Sequence, residues 1–342
     1  MTRRRLAAVV AVLLLAACSG GDSGDTDGGG GDGGSDATLI PPASESAPDG
    51  TEDEGVAPVE PTGDLADCPA GFDEGDLPAG EHEGFASGGQ ERAFHLLVPE
   101  DAPAEPAPLF VALTGTVQEE ADFLAQSEID RLTDDGWIVV APVRNGNGLV
   151  WGPWDAMRTP AMTGPNPDEA LVLDLVGCVA AHHPVDADRV FVGGISIGGT
   201  FTNYLLRRHS DVFAGGIVGS GNLILTEPAK PEPMEAMTVI VAWGGPDDQW
   251  TGCPDGRMGE QYAEEPGCVS TDFVADAAAA TELYAEEPEV AVLACSEDVG
   301  HIWITSATSW WAEVLAARPK GTTAPLDPGA PPPPMTCEAD LA

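Results

Sequence analysis

Short, almost wholly apolar runs separated by segments of helical periodicity set the firmest limit on what this chain can fold into. Residues 109–113 (LFVAL), 137–141 (WIVVA), 238–242 (TVIVA) and 290–294 (VAVLA) lack the alternation of a strand with one wet face. Strands apolar on both faces need covering on both. Residues 91–98 (ERAFHLLV), 189–192 (RVFV) and 216–218 read as further strands, and 129–133, 168–181 and 200–208 as helices. Buried strands alternating with helices predict an α/β fold, a mainly parallel sheet with helices on both faces. In such sheets chemistry gathers at the carboxyl ends of the strands, so the residues just after each run are the ones to read for function.

The domain so defined occupies residues 67–320, long enough for one well-buried core. The segment before it has other tasks. Arg3, Arg4 and Arg5 precede an apolar run over 6–17. That run is too short to cross a bilayer, which takes about 20 residues, and has the length of an export signal. Leu15-Ala16-Ala17-Cys18 resembles the bacterial lipobox. The resemblance implies cleavage before Cys18, lipidation of its thiol, and a protein held at the cell envelope by that anchor alone. Residues 18–66 are rich in Gly, Asp, Ser, Pro and Glu and contain no Lys or Arg, the composition of a disordered acidic tether. Residues 321–342 form a Pro-rich tail that reads as irregular.

A formal net charge of −43 argues against nucleic acid as a partner, because phosphate is repelled. A monomer is expected. Beyond Cys18 six cysteines remain, an even number in an exported chain, which suggests up to three disulfides. Cys253 and Cys268 bracket a Gly/Pro-punctuated segment and are the expected local pair; Cys68 and Cys337 are expected to clip the ends of the domain together. The spacings match no zinc pattern, and neither metal nor cofactor is expected.

After the run at 189–192 comes Gly194-Ile195-Ser196-Ile197-Gly198-Gly199, then a helix. G-x-S-x-G between a strand and a helix is the nucleophile elbow of α/β-hydrolases. Glycines beside the serine let strand and helix close tightly, and the turn lifts the hydroxyl above the sheet. The Ile197 N–H, at the helix start, faces where an oxyanion would form. In a chain with 42 glycines the motif alone carries little; its setting and the residues downstream carry the reading.

The longer segment Val185-Asp186-Ala187-Asp188-Arg189-Val190-Phe191-Val192-Gly193-Gly194-Ile195-Ser196-Ile197-Gly198-Gly199 resembles the signature of secreted polyhydroxybutyrate depolymerase-like and feruloyl esterase-like hydrolases, as does the continuation His209-Ser210-Asp211-Val212-Phe213-Ala214. The resemblance runs from about residue 84 to 303 and implies an α/β-hydrolase fold with a Ser, Asp, His order along the chain. His301, in Gly300-His301-Ile302-Trp303, stands where the family has G-G-H-x-W, and is the expected general base. Asp247, after the run at 238–242, matches the family's H-G-x-x-D acid; Asp248 is its competitor one residue on. The family's H-G after the 109–113 strand is Thr114-Gly115 here, and the second oxyanion donor is expected from the Thr116 amide.

Trp151, Trp154, Trp250 and Trp303 lie near the expected loop tips and suggest an aromatic cleft for the substrate. Arg144 and Arg158 are candidates to hold an anionic group. Together these residues point to a serine hydrolase acting on carboxylic esters, whether polyester, polysaccharide-linked feruloyl or acetyl esters, or small esters. A peptidase on the same fold is the enzymatic alternative. A catalytically degenerate surface-binding lipoprotein is the other, suggested by Thr114 and by the doubled glycine before Pro246.

Overall fold

The computed structural model describes residues 68–339, apart from 102–104, 117, 145–150, 152–165, 223–233 and 254–256. The export segment, Cys18, the acidic tether, Trp154 and Arg158 lie outside the described residues. Among those described, nine strands form one sheet in the order β1-β2-β4-β3-β5-β6-β7-β10-β11. Its centre is parallel: β4 (Ile138–Pro142), β3 (Ala107–Leu113), β5 (Val185–Ile195), β6 (Gly215–Gly219), β7 (Met237–Trp243) and β10 (Val290–Ser296). An antiparallel pair, β1 (Gly80–Ser87) and β2 (Gln90–Leu97), extends one edge, and β11 (Thr336–Ala339) pairs antiparallel with β10 at the other.

The apolar runs earn their burial on two sides. Leu109, Val111 and Leu113 of β3 point into one core, with α2 (Pro167–His182), α3 (Ile197–Arg208) and α4 (Phe273–Ala285). Phe110 and Ala112, one residue out of step, point into the other, with α1 (Glu120–Gln126), the 3-10 turn Ile129–Asp135 and α5 (Thr308–Ala316). The parallel sheet with helices on both faces is thus present, as expected.

One buried ion cluster ties two helices together. Glu169 of α2 accepts from Arg208 Nε at 2.8 Å and pairs with His209 Nε2 at 2.6 Å, both at the end of α3, and from Tyr204 Oη at 2.9 Å. Burial alone raises a carboxyl pKa. The hydrogen bond from His209 and the Arg208 charge outweigh it here and hold Glu169 below the usual carboxylate range. His209, buried at the end of α3 and bonded to Glu169, therefore serves packing.

The disulfides are Cys68–Cys178, Cys253–Cys268 and Cys295–Cys337. The local pair is as expected; the clip of Cys68 to Cys337 is not. Cys68 reaches instead into α2, and Cys337 lies in β11, directly opposite Cys295 in the ladder. The tail is also less irregular than its prolines suggest. Leu326 and Met335 are buried, and residues 336–339 add the last strand.

Between β7 and α4 the chain makes a small hairpin, β8 (Gln249–Gly252) with β9 (Val269–Asp272), stapled by Cys253–Cys268. It stands beside the carboxyl end of the sheet.

Candidate active site

Ser196 sits between β5 and α3 with φ 58° and ψ −121°, a left-handed φ that a non-glycine residue adopts only where packing imposes it. The neighbouring glycines are what impose it. A Cβ on Gly194 would stand 2.3 Å from the Leu113 carbonyl oxygen, on Gly198 2.2 Å from that same oxygen, and on Gly199 2.4 Å from the Gly219 carbonyl. The end of β3 and the turn into α3 are closer than any side chain permits. Ser196 N–H donates to the Gly219 carbonyl at 2.8 Å, locking the turn to β6.

His301 Nε2 lies 2.9 Å from Ser196 Oγ, and His301 Nδ1 lies 2.7 Å from Asp248 Oδ1. The acid expected at Asp247 is therefore corrected to Asp248. Asp247 is exposed and directed to solvent, whereas Asp248 is fully buried beneath the imidazole. The one-residue shift follows from the turn. Gly245 has φ +84°, and a Cβ on Gly244 would fall 1.7 Å from the Gly300 carbonyl. The acid loop and the histidine loop pack backbone to backbone, with Val299 and Gly300 N–H both donating to the Gly244 carbonyl at 3.1 and 2.8 Å. The doubled glycine is thus a fitting requirement of the site.

Two further donors hold the acid. Ser220 Oγ donates to Asp248 Oδ2 at 2.6 Å and Gly244 N–H to the same oxygen at 2.7 Å. Ser220 has φ 42° and ends β6 as Ser196 ends β5. Nothing in a motif announces it; its place just after a buried parallel strand was the available signal. Phe273, the first residue of α4, stacks on the imidazole with ring centroids 4.3 Å apart and an interplanar angle of 15°. Its N–H donates to the Asp248 carbonyl at 3.1 Å, so hairpin, helix and acid are fixed together.

A cleft of about 470 Å³ opens over Ser196 and His301. Trp250, Ile302 and Trp303 line it, as do Gln118, Asp122 and Gln126. Trp250 comes from β8, its ring lying over Gly252, where a Cβ would be 2.2 Å from the indole. Trp303 reaches the cleft by an edge only: it is 6% exposed, its Nε1 donates to Thr308 Oγ1 at 2.8 Å, and Phe123 and Trp311 pack on it. Trp151 is not in the cleft. It is fully buried, stacked on Phe201 at 5.4 Å, with its indole N–H bonded to the Thr114 carbonyl. A lone tryptophan between elements gives no sign of which way it turns. Arg144 does not face a ligand either; its guanidinium is engaged by the Gln118 carbonyl and the Glu120 carboxylate.

Ile197 N–H is among the first amides of α3, which have no partner inside the helix. Thr116 lines the cleft, and its amide has no hydrogen-bond partner among the described residues. Ile197 follows Ser196 directly at the start of α3, and Thr116 lines the same cleft as Ser196.

The Esterase PHB depolymerase family model matches residues 92–244. An oxidized polyvinyl alcohol hydrolase of Pseudomonas sp is 30% identical over 320 residues, covering 75% of this chain and 80% of its own. A protein of the same description from Sphingopyxis sp. is 29% identical over 293 residues, covering 68% and 77%. The crystal structure of native pOPH superposes with a TM-score of 0.67 at 27% identity, over 80% of this chain and 97% of the other.

Proposed function

Since this chain belongs to the oxidized polyvinyl alcohol hydrolase family of esterase-type α/β-hydrolases, we propose that it cleaves carboxylic esters through an acyl-enzyme on Ser196. The observation that carries this reading is the relay from Asp248 through His301 to Ser196 at 2.7 and 2.9 Å, at the floor of an open cleft.

In this mechanism Ser196 Oγ attacks the ester carbonyl as His301 Nε2 takes its proton. Asp248 holds the Nδ1–H tautomer and stabilises the imidazolium that forms. The Ile197 and Thr116 amides receive the negative charge on the carbonyl oxygen. Collapse of the tetrahedral intermediate expels the alkoxide, which takes the proton from Nε2. Water then repeats the sequence on the acyl-enzyme: His301 removes its proton, the acid leaves, and Ser196 recovers its hydrogen. Trp250 and Ile302 offer the acyl or alcohol portion an apolar wall, and the substrates fitting such an open cleft include polymeric or polysaccharide-linked esters as well as small ones. The lipobox-like Leu15-Ala16-Ala17-Cys18 supports export and anchoring at Cys18, and with them an activity at the cell envelope.

The test is hydrolysis of p-nitrophenyl acetate and butyrate by the purified protein, with Ser196→Ala as control. Release of nitrophenolate by wild type and not by the variant supports the reading. Cleavage of peptide substrates without ester turnover supports a peptidase instead, and equal inertness of both proteins removes the enzyme.

A further inference from the structure

The loop after β3 that carries Thr116 is braced from three directions by groups outside the Ser196–His301–Asp248 relay. Trp151 Nε1 donates to the Thr114 carbonyl at 3.0 Å. Gln118 Oε1 accepts the Gly115 N–H at 3.1 Å, and the Gln118 N–H returns to the Gly115 carbonyl at 3.4 Å. The Arg144 guanidinium donates to the Gln118 carbonyl at 2.5 Å, with Glu120 at 3.6 Å from its Nε. Trp151 is in turn clamped by its stack on Phe201, which belongs to the helix opening on Ser196.

This arrangement has a consequence for the amides. Gly115 N–H is taken by Gln118, and among the described residues of this loop Thr116 is a cleft-lining residue whose amide has no hydrogen-bond partner. The Thr114 side chain contributes no brace: it is fully buried and its hydroxyl has no hydrogen-bond partner among the described residues. On the reading that Ser196 forms an acyl-enzyme with Thr116 as an oxyanion donor, we propose that Gln118, Trp151 and Arg144 are positioning residues of the oxyanion hole. They set the Thr116 amide against Ser196, by way of backbone carbonyls and amides on both sides of it.

The physical case rests on where charge develops. A donor aimed at the oxyanion stabilises the tetrahedral state far more than the ground-state carbonyl, and only while it is held in place. Loosening the loop therefore lowers kcat and spares KM. Displacement of a catalytic donor by a fraction of an ångström is expected to cost about tenfold in rate.

Gln118→Met keeps the length of the side chain and removes its acceptor. Trp151→Phe keeps a ring against Phe201 and removes the indole N–H. Arg144 is left intact, because its loss strands the buried Glu120 carboxylate. Both variants, made in the full chain, are compared with wild type on p-nitrophenyl butyrate. Inhibition by phenylboronic acid, which forms a tetrahedral adduct on an active serine, is measured alongside. Each variant is expected to lose about tenfold in kcat with KM within about twofold, and to bind the boronate about tenfold more weakly. A purely structural role lowers the melting temperature and leaves the folded fraction with wild-type boronate affinity; that result, or wild-type kcat in both variants, overturns the proposal. A wild type that neither turns over ester nor reacts with a fluorophosphonate overturns the esterase reading itself, and this assignment with it.

Discussion

Asparagine at position 248 replaces one oxygen of the buried carboxylate by an amide nitrogen, and the surrounding donors decide which. Oδ2 receives both Ser220 Oγ and Gly244 N–H, at 2.6 and 2.7 Å. The amide oxygen must stay there, so the NH2 group faces His301 Nδ1. Nδ1 then becomes an acceptor and the ring proton moves to Nε2, 2.9 Å from Ser196 Oγ. An imidazole in that tautomer has no lone pair for the serine proton. The loss expected is about 10⁴-fold in kcat, equivalent to about 5.5 kcal/mol of barrier, with substrate binding largely kept. Asp247→Asn is the matched control: its carboxylate is exposed and screened, and kcat should stay within about twofold of wild type. Initial rates on p-nitrophenyl butyrate at fixed pH, with circular dichroism to confirm folding, measure both. Inactivation by Asp247→Asn with activity kept in Asp248→Asn refutes the reasoning, as do equal losses in the two.

Further outcomes follow from the same geometry. Burial, and then the neighbouring Asp272 carboxylate, push Asp276 from the usual 3.8 up to about 6. A raised carboxyl pKa means the folded state binds the proton more tightly, so this group's contribution to stability is full below about pH 4 and lost as pH rises through about 6. Asp276→Asn should therefore melt higher than wild type at pH 7.5, with the advantage vanishing at pH 4, in paired calorimetric scans. Removing the Cys253–Cys268 bridge, which spans 15 residues, should cost up to about 3 kcal/mol in denaturant titrations. It should also raise KM, because the hairpin carries Trp250. Gly244→Ala places a methyl 1.7 Å from the Gly300 carbonyl and forces the acid and histidine loops apart. It should cut kcat at least about 100-fold while fluorescence and circular dichroism still report a folded chain.

Much of this architecture is legible in the residues, and the parts that are not share a physical cause. The runs at 109–113, 137–141 and 238–242 announce buried parallel strands because both their faces are apolar, and all three are strands of the central sheet. Ser196 is legible because its glycines satisfy a close approach that few other residues permit, and His301 because it follows a strand end in a distinctive setting. The acid is legible only to within one residue, because a turn has no period. Whether Asp247 or Asp248 faces inward depends on the φ of Gly245 and on Gly300, which packs there from 55 residues away. The inward turn of Trp151 is not legible, because a loop tryptophan does not reveal its direction. The strand at 336–339 was hidden by the prolines before it, and with it the partner of Cys295. Ser220 acts through a single long-range contact, 28 residues from Asp248 in sequence, that no local pattern encodes.

Direct detection of the acyl-enzyme tests the central claim most closely. The protein is mixed with excess p-nitrophenyl butyrate, quenched in acid within the first turnover, digested and examined by mass spectrometry. A butyryl group on the peptide containing Ser196, absent from Ser196→Ala, is the result this account predicts. Ester turnover that continues in Ser196→Ala, or acylation confined to another residue, contradicts it.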